Sequence, residues 1–252
     1  MLQGKSIIVT GGATGIGHAA SVHFAENGAK VVVADWNEAG GRDTVAAIKK
    51  AGHQAVFIKT DVTKESDVEA MVACAVQNFG GLDGAFNNAG IEMSNILISE
   101  LDVKTWQRVI DIDLTGVFLC LKHELRAMKG RAGSIVNMAS GNGEIAQSHC
   151  SDYISAKHGV VGLTRAASTE FPYTGVRVNA LLPGIVLTPM IKDRLFNDPN
   201  FIPHVPAMKE RHSVGRFGEP IDIARAAKWL LSEESTFVNG LMLNIDGGYT
   251  AK

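Results

Sequence analysis

The sequence is poor in cysteine, and what it has is scattered. Cys74, Cys120 and Cys150 are odd in number and widely spaced, with no CxxC pair and no zinc pattern. That argues against a disulfide framework and fits a reducing compartment, the cytoplasm. No apolar run approaches the roughly 20 residues of a membrane helix. Met1-Leu2-Gln3-Gly4-Lys5 leads straight into Ile7-Ile8-Val9, which leaves no span for a signal peptide. Charge of one sign is also missing: 24 basic against 26 acidic residues give a net −2, with no long block of either. Nucleic acid and anionic membranes therefore have no electrostatic footing. HExxH and close His/Asp clusters are absent, so no metal is expected. Ser140 sits in Met138-Ala139-Ser140-Gly141-Asn142, which lacks the GxSxG elbow of a hydrolase.

What remains is an ordinary soluble composition in 252 residues, 46% hydrophobic and 20% charged. A chain of this length buries a full core, and α/β folds of this size are commonly one unit. Short, nearly continuous apolar runs recur at Ser6–Thr10, Lys30–Ala34, Ala55–Lys59, Gly84–Asn87, Ser134–Asn137, Arg177–Leu181 and Leu241–Ile245. Helical patterns lie between most of them: Gly15–Asn27, Glu38–Ala51, Glu65–Phe79, Val103–Met128, Asp152–Phe171 and Pro220–Leu231. Such alternation predicts an α/β fold, a doubly wound parallel sheet of about seven strands with helices on both faces. No linker or repeat divides residues 1–252, which read as a single domain. The stretch 185–218 is irregular and holds Pro189, Pro199, Pro203 and Pro206 beside Met190, Leu195, Phe196, Phe201 and Met208. It reads as a long substrate-binding loop.

The first strand ends in Thr10-Gly11-Gly12-Ala13-Thr14-Gly15-Ile16-Gly17, and a helix follows. Glycines allow a tight turn and close approach of a pyrophosphate, and the helix N-terminus offers free N–H groups. The second strand closes on Asp35, placed to accept hydrogen bonds from an adenosine ribose. Asp35 also repels a 2′-phosphate, by about 4 kcal/mol at 4 Å and an effective dielectric near 20 before screening. Neither the glycine turn nor Trp36-Asn37 supplies an arginine to offset that, so NAD is expected over NADP. Asp61-Val62 and Asn87-Asn88-Ala89-Gly90 follow the third and fourth strands, where ligands of open parallel sheets bind. Asp61 is equally readable as the cap of the next helix.

Tyr153 and Lys157 stand four apart on one helix face. A phenol titrates near pH 10, too high for acid–base work at neutral pH, and a nearby ammonium lowers it. Ser140 follows the fifth strand, and Pro183-Gly184 the sixth. Together with the glycine turn, Asp61, Asn87-Asn88-Ala89-Gly90 and the closing Asp246-Gly247-Gly248, these motifs resemble the classical short-chain dehydrogenase/reductase family over essentially the whole chain. The resemblance implies a Rossmann-type fold, a homotetramer and an NAD(H)-dependent alcohol dehydrogenase or carbonyl reductase acting on CH–OH. Tyr153 would be the general acid or base, and Ser140 would bind the substrate oxygen. Lys157 would bind the nicotinamide ribose and tune Tyr153. Thr188 would contact the nicotinamide amide, while Asn88 and Gly90 would lie along the cofactor.

One position departs from the pattern. The family's asparagine before Leu-Thr-Gly is replaced by Asp113, which the resemblance places in the catalytic group. Its apolar neighbours predict burial, and a buried carboxylate is costly unless paired, with Lys157 the natural partner. The alternative to a working enzyme is a non-catalytic NAD-binding protein impaired by Asp113. The substrate, a small alcohol or ketone, is expected against Ser140 and Tyr153 under the 185–218 loop. Glu92, Gly141, Glu144, Gln147, His149, Cys150 and Met190 are candidate lining residues, with Glu144, Gln147 and Met190 placed in the substrate site.

Overall fold

A computed structural model describes residues 1–171 and 174–251. Seven strands form one parallel sheet: β1 Ser6–Thr10, β2 Lys30–Asp35, β3 Gln54–Lys59, β4 Gly84–Asn87, β5 Gly133–Met138, β6 Val176–Pro183 and β7 Met242–Ile245. Their order is β3-β2-β1-β4-β5-β6-β7. β1 pairs with β2 on one side, Ile8 opposite Val32, and with β4 on the other, Ile8 opposite Ala85. The chain therefore reverses direction across the sheet between β1 and β4, and a crevice opens at their carboxyl ends.

Alternation along the strands sorts side chains into two cores. Ile8, Val32, Ala85 and Ile135 face α3 (Glu65–Phe79), α5 (Gly116–Ala127) and α6 (Ser151–Glu170). Ile7, Val9, Val31, Phe86 and Val136 face α1 (Gly15–Glu26), α2 (Glu38–Lys50) and α9 (Pro220–Leu231). Both faces are covered, which is why the strands lack a polar side.

Two expectations need correction. The helix expected over Val103–Met128 is three segments: α4 (Val103–Ile110), a π turn (Asp111–Thr115) and α5. The π turn is a local widening, a feature frequent at functional sites. The 185–218 stretch is not an irregular loop. It contains α7 (Pro189–Asn197), a 3₁₀ turn (Ile202–His204) and α8 (Val205–Glu210). Pro189, Pro203 and Pro206 each sit in the first turn of a helical segment, where the missing N–H costs nothing. The Thr188 hydroxyl caps α7 by accepting from the Ile191 N–H at 3.3 Å. The prolines look like breakers in the sequence but act as starters.

Candidate active site

The glycine turn is held from beneath. The Asn88 amide donates to the Thr10 carbonyl at 3.0 Å and the Gly11 carbonyl at 3.4 Å. The Thr10 hydroxyl accepts the N–H groups of Asn88 and Ala89, both at 3.0 Å. Gly11 has φ +65°, the left-handed region, and a Cβ there would lie 2.9 Å from Asn88 Nδ2. A Cβ on Gly17 would be only 2.0 Å from the Gly11 carbonyl oxygen, so α1 seats against the turn only because Gly17 has no side chain. Thr14, the N-cap of α1, makes no side-chain cap, and the first turn carries no acid. Its N–H groups are thus left to a ligand.

A cleft of about 520 Å³ runs past this turn, lined by Gly11, Thr14, Asp35, Asp61, Val62 and Gly90 among others. Asp35 is buried and oriented by two amides: it accepts from Ala13 N–H at 2.9 Å and Asn37 N–H at 2.8 Å. Asp61 is not a helix cap, since Lys64 holds that position. Burial works against its charge, but hydrogen bonds from Thr63 and Lys64 keep its carboxyl below the usual range. Two residues in the cleft differ from expectation. Met190 lines this cleft rather than the substrate side, and Arg108 from α4 supplies a cation that the motifs near Asp35 did not reveal.

A second cavity of about 490 Å³ adjoins, with Ile16, Ser140, Gln147, Tyr153, Pro183, Gly184 and Thr188 on its walls. Gly15 packs against Thr188 of this wall, where a Cβ would lie 3.1 Å from Thr188 Cγ2. Ile191, Arg194 and Leu195 of α7, and Ala207 and Met208 of α8, roof the cavity. Apolar side chains dominate it. Ser140 accepts the Asn142 N–H at 3.2 Å, which leaves its hydroxyl proton free to donate. Burial raises the Tyr153 phenol above its ordinary pKa, opposed by Lys157 and a hydrogen bond with Ser140.

Lys157 is 3% exposed, with Nζ 5.3 Å from the centre of the Tyr153 ring and 3.3 Å from the Met138 carbonyl oxygen it donates to. Its ammonium lies 3.3 Å from Asp113 Oδ2, while Asp113 Oδ1 accepts the Ile91 N–H at 2.8 Å. Burial works against the ammonium, but the Asp113 carboxylate outweighs it and raises the Lys157 pKa. The expected pair is therefore present and buried on both sides. Neither partner lines either of the two cavities, so both act from behind the wall.

Several expected lining residues are engaged elsewhere. Glu144 accepts from Asn244 at 3.0 Å and lies outside the cavity. Glu92 binds Arg194 at 2.7 Å, joining the segment after β4 to the α7 roof. The Cys150 thiol donates to the Ser148 carbonyl, and burial raises its pKa, which leaves little thiolate. His149 is exposed against Ser148. Sequence reasoning missed His212. It is buried, accepts the Ile185 N–H at 3.2 Å, donates to the Met208 carbonyl, and so ties the roof to the end of β6. No spacing in the chain signals that role.

The family model for enoyl-(acyl carrier protein) reductases matches residues 11–250. The chain belongs to the short-chain dehydrogenase/reductase family. It is 45% identical to a 2,5-dichloro-2,5-cyclohexadiene-1,4-diol dehydrogenase of Sphingobium indicum, over 99% of this chain and 98% of that one. It is 43% identical to a cis-4-hydroxycyclohexanecarboxylate dehydrogenase of Sinomonas cyclohexanicum, over 97% and 96%. The crystal structure of levodione reductase superposes with a TM-score of 0.95 at 34% identity, covering 100% and 99%. An actinorhodin polyketide ketoreductase crystallised with NADPH gives 0.93 at 32%, covering 100% of both. The chain is thus an oxidoreductase, like its relatives named as dehydrogenases of CH–OH groups. Among the described residues no helix is long and apolar enough to cross a membrane, and no group of three His, Cys, Asp or Glu side chains is placed to hold a metal ion.

Proposed function

We propose that this protein interconverts a cyclic secondary alcohol and its ketone with NAD(H), using Ser140, Tyr153 and Lys157. The observation that carries the reading is shared placement: Ser140 and Tyr153 on the wall of one apolar cavity, with Lys157 buried behind the tyrosine ring. The cleft fits the cofactor, because free α1 N–H groups and the oriented Asp35 carboxylate suit a pyrophosphate and a ribose. Gly11, Thr14, Gly15, Ile16, Asp35, Asp61, Val62, Gly90, Pro183, Gly184 and Thr188 would hold it. Gly17 and Asn88 would serve it by shaping the turn. When bound, the nicotinamide supplies or accepts the hydride.

The chain's own groups handle the proton and the oxygen. The Ser140 hydroxyl donates a hydrogen bond to the substrate oxygen and orients the carbinol. In oxidation the Tyr153 phenolate takes the alcohol proton; in reduction the phenol returns it. Lys157 stabilises the phenolate by charge. The α7 and α8 roof excludes water from the reacting carbon, and Gln147 stands at the cavity wall with Asn142 and Arg211 as a polar contact for the substrate.

The ring-shaped substrate is supported by the apolar cavity and by two relatives whose names describe ring alcohols. Preference for NAD is supported by Asp35; Arg108 in the same cleft, and the NADPH held by one structural neighbour, favour NADP as the second reading. The Asp113–Lys157 contact favours another, an NAD-binding protein without turnover. Initial rates with NAD⁺ and NADP⁺ over a panel of cyclic secondary alcohols, with Tyr153→Phe as control, decide among them. We expect turnover with NAD⁺ that the variant loses by about 10²- to 10⁴-fold. Tight NAD⁺ binding without turnover on any alcohol would support the non-catalytic reading. We further propose a single catalytic unit over 1–252, a cytoplasmic location consistent with three free thiols, and a homotetramer, the last checked by light scattering.

A further inference from the structure

We infer that Asp113 is a positioning residue that cancels the charge of Lys157 behind the cleft wall and so tilts binding toward the oxidised form of the nicotinamide cofactor. The inference rests on the dehydrogenase reading above. The π turn carries Asp113 inward, where it is 0% exposed and meets a buried ammonium at 3.3 Å. The pair lies directly behind the wall of the cleft. Gly90 lines the cleft, and a Cβ there would stand 3.3 Å from Asp113 Oδ1 and 3.5 Å from Lys157 Nζ.

The sum of the pair's charge is what matters. With the proton on Lys157 the pair is an ion pair; with the proton on Asp113 and a neutral amine it is uncharged. Both arrangements of that one proton sum to zero. An asparagine in this place leaves +1. An oxidised nicotinamide ring carries +1 and a reduced ring none. Each unit of positive charge removed from a buried wall therefore favours the oxidised ring.

No neighbouring group restores the missing cation. Glu92 and Arg194 pair with each other and sum to zero. Asp152 is buried and adds a further carboxylate, accepting the N–H groups of Ser94 and Tyr153. Arg108 reaches the cleft from an exposed position, where solvent screens it. The consequence is a site that takes up oxidised cofactor readily and releases the reduced form readily, which suits net oxidation of an alcohol.

Equilibrium titration calorimetry of NAD⁺ and NADH, with no alcohol or ketone present, tests this on the wild type and Asp113→Asn. The asparagine still offers an oxygen to the Ile91 N–H. We expect the ratio Kd(NADH)/Kd(NAD⁺) to fall by about tenfold or more in the variant, since one charge at an effective dielectric near 20 is worth that much even roughly 12 Å away. If that variant does not fold, Asp113→Ser, a smaller neutral acceptor, is expected to move the ratio the same way. A ratio that stays constant while both affinities change together is the signature of a merely structural role and overturns the inference alone. Failure of the wild type to bind either form overturns it together with the dehydrogenase reading.

Discussion

Asp113 and Glu124 lie on one helical run, and both carboxylates are 0% exposed. Their surroundings differ. Asp113 meets an ammonium and an amide N–H, and it raises the pKa of its cationic partner. Among the described residues Glu124 hydrogen-bonds only with the Asn87 amide, at 2.9 Å, and its other oxygen has no hydrogen-bond partner. Burial then pushes Glu124 up to about 7, with the Asn87 hydrogen bond opposing. Burial raises the Asp113 carboxyl as well, with Lys157 and the Ile91 N–H opposing, so a nearby cation offsets part of the cost of depth rather than removing it. The paired acid stands behind Gly90, at the back of the cleft wall. The unpaired one belongs to a network under the sheet, where Asn87 also donates to Asn137 and Asn137 to Thr164.

The largest expected effect comes from breaking the pair. Lys157→Met leaves the Asp113 carboxylate buried without its cation. Urea denaturation is expected to show a loss of about 3–5 kcal/mol, alongside loss of turnover. A variant of near wild-type stability would mean that Asp113 is not charged in the native protein. Next is Glu124→Gln. The folded pKa of Glu124 lies above its unfolded value of 4.5, so its contribution to stability is complete below about pH 4.5 and is lost as pH rises to about 7. Removing the titration should leave the variant up to about 3 kcal/mol more resistant at pH 8 than at pH 5, relative to wild type. Parallel pH–stability curves would show that Glu124 titrates normally.

A smaller effect is expected on the pH–rate profile. The groups facing the Tyr153 phenol are Lys157, Ser140, Asp113 and Glu92, and both carboxylates raise its pKa. Asp113→Asn should therefore shift the rising limb of alcohol oxidation to lower pH. An unmoved limb would separate Asp113 from the tyrosine. The smallest effect is expected at the roof. Arg194→Gln frees Glu92 from a partly exposed pair, so KM should rise a few-fold with little change in kcat. A fall in kcat instead would put the roof in the chemistry.

Strands, helices and the glycine turn were legible because each depends on local signals: β-branched runs, helical periodicity, and glycines where only glycine fits, as at Gly11 and Gly17. Asp113 and Lys157 were legible as a pair because an apolar helix face gave a carboxylate nowhere else to go. The roof was not. Pro189, Pro203 and Pro206 suit helix starts and helix breaks equally, and only tertiary context separates the two. The Glu92–Arg194 and Glu144–Asn244 contacts join segments distant in sequence, so neither could be read from spacing. His212 and Glu124 escaped notice for the same reason.

The proposed chemistry passes a hydride directly between the carbinol carbon and the nicotinamide ring while Tyr153 moves the proton. The most direct test takes the alcohol turned over best in the panel, deuterated at its carbinol carbon, and follows the label by mass spectrometry. The account predicts deuterium on the nicotinamide ring of the reduced cofactor, and its disappearance with Tyr153→Phe. Deuterium released to water instead, or label transfer undiminished in the tyrosine variant, would contradict it.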